Sequence, residues 1–240
     1  MIESNLITIN EMYKFIKFQD NEAEIYFSFA EGGLNFNPNN ISGIENINKL
    51  KEWFNLKDIG YLKQIHSDVV HIYDGKITEG DAIMTNQRRV AVGVFTADCV
   101  PIIIYDKVNK AVSAVHSGWK GTLGCIVLKS IEEMKKTYES KLKDLSIYIG
   151  PHNMGCCYEV GAELIERFLQ SKDFSKEKII HKRNLSLQDC IINQLNTIGI
   201  EINQIYSVNK CTSCSKELKL YSYRKSTNKE GRMFSFIFLR

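Results

Sequence analysis

The chain has 240 residues, of which 44% are hydrophobic and 25% charged, and its 31 basic and 28 acidic residues leave a net charge of +3. That is ample material for a large core, and no disulfide or structural metal is needed for stability. The near balance of charge, without an RRM, zinc-finger or helix-turn-helix signature, argues against a nucleic-acid partner, and no apolar run approaches membrane-spanning length.

The start, MIESNLITIN, shows neither a charged leader nor a small-residue cleavage site, so the expected location is cytoplasmic. There, seven cysteines read as thiols, ligands or nucleophiles before disulfides. Three prolines, no Gly/Ser spacer and no repeat give one domain over 1–240.

In chain order, Ile25–Phe29 reads as a strand, followed by Gly32-Gly33 and the turn LNFNPNN. Ser42 is placed to cap a helix that turns Ile44, Ile47, Leu50 and Phe54 inward. Two short strands, Tyr61–His66 and Val69–Tyr73, flank Ser67-Asp68 and leave His66 at a strand end, and GDAIMT (80–85) is a further strand. The segment 92–115 carries apolar, β-rich runs too short for helices, and Asp98, Cys99, His116 and Trp119 stand at their edges. A helix is expected over Thr122–Tyr138, a strand at LSIYIG (145–150), helices at 161–169 and 187–198, a strand at 200–208 and a last strand in MFSFIFL. Strands and helices mix without strict alternation, so the fold class is α+β: one layered domain with mixed or antiparallel sheets flanked by helices.

His66, Cys99 and His116 would supply the three protein ligands of an open zinc site. Their spacing fits no finger or ribbon, and it fits a core histidine and a buried thiol as well. A second reading makes Cys99 a nucleophile, His116 its base and Asp98 or Asp81 the orienting acid. Only the metal reading gives His66 a role. Cys211-Thr212-Ser213-Cys214 and the vicinal Cys156-Cys157 could together complete a four-thiolate zinc, although turn or core thiols are the commoner reading. His71 and His181 read as surface or loop residues, His152 as a neighbour of the site, and Trp119 as a packing residue with purine stacking left open.

LKQIHSDVV, GDAIMT, FTADCVPIIIYD, AVHSGWKGT, IGPHNMGCCYEVG and YSYRKSTNKEGRMFSFIFL resemble, in order, the motifs of the YfiH-like family, also called the polyphenol-oxidoreductase laccase, purine nucleoside phosphorylase or peptidoglycan editing factor family. The resemblance spans roughly residues 25–239. It puts His66, Cys99 and His116 on the family's metal ligands, usually zinc. It implies phosphorolysis of adenosine, inosine, guanosine and methylthioadenosine, and deamination of adenosine, so the partners expected are nucleosides and phosphate.

For that chemistry Asp98 is the acid or base, and Arg224, Arg232 and Lys120 are phosphate or ribose anchors, Arg224 first because YSYRKS surrounds it with aromatic rings. Asn35 falls on the family's loop asparagine, whereas Ala30 stands where members often carry arginine, and the following loop is short. The alternatives are a peptidoglycan-precursor editing hydrolase with a Cys-His site, a metal-stabilised binding protein, and a copper-dependent polyphenol oxidase. Five histidines with no HxH pair oppose a multicopper oxidase, while copper binding at an N/S site remains expected.

Overall fold

The computed structural model describes residues 4–171, 174 and 179–240. Met1–Glu3 of the leader reading and the His181 side chain lie outside the described residues. One six-stranded sheet is built from Ser4–Ile9 (β1), Tyr13–Asp20 (β2), Ala23–Ser28 (β3), Asp58–Gly60 (β4), Val90–Thr96 (β7) and Met233–Leu239 (β14), in the order β1-β2-β3-β14-β7-β4. The other uses Val70–Ile72 (β5), Ala82–Thr85 (β6), Val100–Asp106 (β8), Ala111–Ser117 (β9), Leu145–Ile149 (β10) and Ile205–Ser207 (β13), in the order β13-β10-β8-β9-β6-β5. Each sheet is antiparallel except at β4/β7, β5/β6 and β10/β13, so both are mixed, as expected for this α+β chain. Ile180–His181 (β11) and Asn184–Leu185 (β12) form a small separate ribbon.

The sheets lie face to face. Phe27, Val92, Val94 and Ile237 of the first pack on Ile103, Tyr105, Val112 and Tyr148 of the second. Helix Ile41–Trp53 (α1) covers the outer face of the first sheet through Ile47 and Leu50. Ile126–Tyr138 (α3), Ala162–Leu169 (α4) and Leu187–Thr197 (α5) cover the outer face of the second. Every residue of β7, β8 and β9 is therefore buried, which is why these antiparallel strands read as unbroken apolar runs rather than alternating ones. Ile102 and Ile104 face the helices, while Ile103 and Tyr105 face the other sheet. Across the sheet interface, Ser146 and Tyr148 both donate to Asp20 Oδ2, at 2.9 and 2.8 Å, so the carboxylate is buried with partners.

Several local expectations are corrected. Strands β1 and β2 precede the first strand read from sequence. Tyr61–His66 is an extended loop with one isolated bridge, Lys63–Glu79, and the strands around it are β4 and β5. Only Ile205–Ser207 of 200–208 is strand, after a 3-10 turn at Ile202–Gln204. The helix expected over Thr122–Tyr138 is two, Trp119–Leu123 (α2) and α3, broken where Cys125 takes a left-handed φ of 56°.

The cap of α1 is Asn40, whose Oδ1 accepts from Gly43 N at 2.8 Å, and Ser42 lies inside the helix. Ile44, expected inward, is exposed. Asn40→Ala is therefore expected to lower stability by about 1 kcal/mol in urea unfolding, and Ser42→Ala to leave it nearly unchanged.

Candidate functional site

Strand β7 belongs to one sheet and β8 to the other, so the connection 97–99 crosses between them and displays Asp98 and Cys99 at the edge of the core. On β9, His116 pairs with Pro101 and Ser117 with Val100, and one step further sets Gly118 beside Cys99. A Cβ on Gly118 would lie 3.0 Å from His66 Cδ2 and 3.1 Å from Cys99 Sγ, so glycine is what lets the two side chains meet there. His66 arrives from the 61–69 loop in a left-handed conformation, φ 59°.

The donor atoms of His66, Cys99 and His116 all lie within 4.8 Å of one another. Cys99 Sγ is 3.8 Å from His66 Nε2, and the two imidazole centroids are 4.9 Å apart, edge to face. His66 is exposed, Cys99 half-buried and His116 buried. Two imidazoles and a thiolate, open to solvent on one side only, fit a metal ion with a coordination position to spare.

Asp81 holds this arrangement together. It directly precedes β6, and its carbonyl accepts from His116 N at 2.7 Å. Its carboxylate accepts from the amides of Ile65, His66 and Ser67, from Ser67 Oγ, and from His116 Nδ1 at 2.7 Å. Backbone donors of residues 65–67 that a strand partner would otherwise take go to one side chain, so the chain does not continue as a strand there. Of the two acids weighed for orienting His116, Asp81 takes the part. Donation of Nδ1–H to Asp81 turns His116 Nε2 toward Cys99, the carboxylate–histidine–metal pattern.

Burial would raise the Asp81 carboxyl, but the His116 and Ser67 hydrogen bonds outweigh it and hold it down at about 2. Burial likewise opposes charge on Cys99, yet His116 and His66 bring the thiol down to about 6. Burial disfavours the His116 imidazolium, but the Cys99 thiolate and Asp81 together lift it to about 9.

A cavity of about 590 Å³ opens from this triad, within the range of small-molecule sites. Asp98, Arg224 and Arg232 line it together with His66, Cys99 and His116. Asp98 has φ 100°, a strained value for a side-chain-bearing residue. Three bonds fix it: Asn153 N donates to its carbonyl at 2.9 Å, Thr212 Oγ1 to Oδ1 at 2.6 Å and Arg224 N to Oδ2 at 2.8 Å. The Arg224 guanidinium lies 4.4 Å above the Tyr158 ring and donates to the Glu159 carbonyl. Arg232 donates to the carbonyls of Lys229 and Gly231. Among the described residues neither guanidinium is ion-paired with a carboxylate.

Other expected site residues lie elsewhere. Lys120 is exposed on α2, stacked 5.6 Å from the Trp119 ring, and does not line the cavity. Trp119 packs against the helical core. Asn35 sits behind the wall, its Oδ1 accepting from Asn37 N and Arg232 N, so it shapes the loop that puts Asn37 and Asn39 on the cavity. Ala30 is buried, with its amide bonded to the Lys219 carbonyl at 2.8 Å. His152 is fully buried with Nδ1 against the Gly150 carbonyl, apart from the triad.

Sequence reasoning missed Thr96, which lines the cavity and whose buried Oγ1 has no hydrogen-bond partner among the described residues, and the rings of Tyr158 and Phe95, whereas Tyr223 of YSYRKS, expected beside Arg224, lines the cavity too. Gln64 was missed too; it clamps β7 by exchanging bonds with Phe95 N and O at 2.7 and 2.8 Å. These residues stand inside the quoted motifs, Phe95 and Thr96 in FTADC among them, but nothing in their type or spacing singled them out.

Two face-to-face mixed sheets with a His-Cys-His group at their crossing connection define a pocket protein whose donor set could hold a metal ion. The chain belongs to the multi-copper polyphenol oxidoreductase laccase family, whose family model matches residues 24–240. It is similar to a purine nucleoside phosphorylase of Clostridium acetobutylicum, 48% identical over 229 residues that cover 95% of this chain and 96% of the relative. A purine nucleoside phosphorylase of Borreliella burgdorferi is 38% identical over 176 residues, covering 70% and 75%. Among solved structures, the Bacillus licheniformis hypothetical protein YfiH superposes with a TM-score of 0.86 at 25% identity, over 94% of this chain and 96% of that one. YlmD of Geobacillus stearothermophilus gives 0.86 at 21%, over 99% and 100%, a likeness of fold.

Metal affinity is expected to fall about 10–100-fold in Asp81→Asn, measured by competition with a chromogenic chelator. A metal ion bound by these side chains would displace a proton from His116 below about pH 9 and a second from Cys99 below about pH 6. Apparent affinity should therefore fall about 10-fold per pH unit on acidification from 9 to 6, and about 100-fold per unit below 6, in a titration of chelator-stripped protein.

Proposed function

We propose that the chain is a zinc-dependent purine nucleoside phosphorylase acting on adenosine, inosine, guanosine and methylthioadenosine, with adenosine deaminase as a second activity. The observation that carries this reading is one cavity with a candidate metal donor set and two guanidiniums that have no carboxylate partner among the described residues. His66, Cys99 and His116 would hold the ion, which when bound supplies a Lewis acid and, for deamination, an acidified water.

In phosphorolysis an oxygen of phosphate forms a bond to the ribose anomeric carbon while the glycosidic C–N bond breaks, and the purine leaves with that electron pair and takes up a proton. Arg224 and Arg232 bind the dianion, and the Tyr158 ring under Arg224 keeps its guanidinium oriented. With Ala30 buried, anion binding rests on these two. Thr96 Oγ1 is an uncommitted hydroxyl for the nucleoside, and Phe95 and Tyr223 offer faces to an aromatic base. Asp98, held by Thr212 and the Arg224 amide, is the proton carrier. The whole chain, 1–240, acts as one domain in this reading.

Cys99, His116 and Asp81 also make a nucleophile, base and orienting acid in line, which favours a thiol hydrolase, such as one editing peptidoglycan precursors, as the second reading. It leaves His66 without a task.

Incubation of the zinc-loaded protein with inosine and phosphate should release hypoxanthine and ribose 1-phosphate in equal amounts. Arg224→Ala should lower kcat/KM for phosphate by about 100-fold, and Cys99→Ala should abolish turnover. Hypoxanthine released without phosphate would make the protein a hydrolase, and no turnover of any of the four nucleosides would sink the assignment.

A further inference from the structure

A second group of cysteines stands beside the cavity wall. The sulfurs of Cys156, Cys157, Cys211 and Cys214 all lie within 4.8 Å of one another, and those of Cys156 and Cys214 are 3.6 Å apart. All four are free thiols. A tetrahedral ion with metal–sulfur bonds of about 2.3 Å sets its ligands about 3.8 Å apart, so the four sulfurs already stand close to the spacing that one zinc requires.

The backbone is folded for the same purpose. The amides of Met154, Ser213 and Cys214 all point hydrogen bonds at Cys211 Sγ. Convergent N–H donors of this kind disperse the charge of a thiolate. Cys211 and Cys214 occupy one tight turn, closed by Ser215 N on the Cys211 carbonyl at 3.0 Å, and Cys156 and Cys157 occupy another, closed by Cys157 N on the Met154 carbonyl at 2.8 Å. A bridge between His152 and Cys211 sets the two turns side by side.

We propose that Cys156, Cys157, Cys211 and Cys214 bind a structural zinc ion through four thiolates, with no position left for substrate. The ion ties the turn after β10 to the tail loop after β13. Those two segments supply every bond that fixes Asp98: Asn153 from the first, Thr212 and the Arg224 amide from the second. The clamp thus holds the cavity wall that carries Arg224, while His66, Cys99 and His116 lie on other elements.

The test is metal content and cobalt spectroscopy on the full chain purified under reducing conditions without chelator. His66→Ala, which disables the other donor set, should retain one zinc per chain. After exchange with cobalt(II), that protein should show the intense thiolate-to-metal charge transfer of a four-sulfur tetrahedral site. Cys211→Ser with Cys214→Ser should bind one zinc fewer than the unsubstituted chain and lose that band. In the unsubstituted protein, which avoids any folding defect of the variant, stepwise mercurial modification should release zinc as these four cysteines react, located by peptide mass. Equal zinc in the doubly substituted and unsubstituted chains, a cobalt spectrum without four-sulfur character, or zinc release uncorrelated with these thiols would each overturn the proposal.

Discussion

The site depends on one buried carboxylate. Asp81 has no exposed surface, and it accepts three consecutive amides of the 61–69 loop, one hydroxyl and one imidazole. A buried carboxylate without partners would be prohibitive, so this concentration of donors is what lets the charge exist there. The same bonds fix the path of the loop, the position of His66 and the tautomer of His116. Two of the three side chains of the candidate metal site are thus set by one residue outside the donor set.

Cys99 is governed differently. Its place follows from the β8/β9 register and from the space left by Gly118, features of the sheet and not of the loop. Near it the wall is polar and carefully bonded, as Asp98 is held in a strained backbone by three partners from distant parts of the chain. Strain of order 1–3 kcal/mol persists only where the surroundings over-determine it. The consequence is a stiff rim for the cavity, built from the 150s turn and the tail.

The strongly periodic or unbroken apolar segments were legible in the sequence, among them β7, β8, β9, β10, α4, α5 and β14. Burial on both faces removed alternation from the central strands, but their brevity and β-branched content still identified them. That His66, Cys99 and His116 come together was legible from their residue types and from resemblance to a family. What sequence did not disclose were partnerships across long separations: Asp81 with the 65–67 amides, Asn35 with Arg232, Asp98 with Thr212 and Arg224. Lys120 was misplaced for a related reason, since its neighbour Trp119 turns toward the helical core and carries α2 away from the cavity. The N-cap of α1 was misread by two residues because Asn40 and Ser42 are both good caps, and only the path of the preceding loop decides between them.

The crossing of 97–99 from one sheet to the other ties reactivity to the thickness of the interior. Phe27, Val94, Ile103 and Tyr148 act as spacers between two plates, and Cys99 sits on the strap that joins them. His116 rides on one plate, so a change of volume in the spacers moves one donor relative to the other without touching either. Residues far from the cavity, of ordinary apolar character, thereby set the bite of the site, and their sizes can be exchanged only in compensating sets.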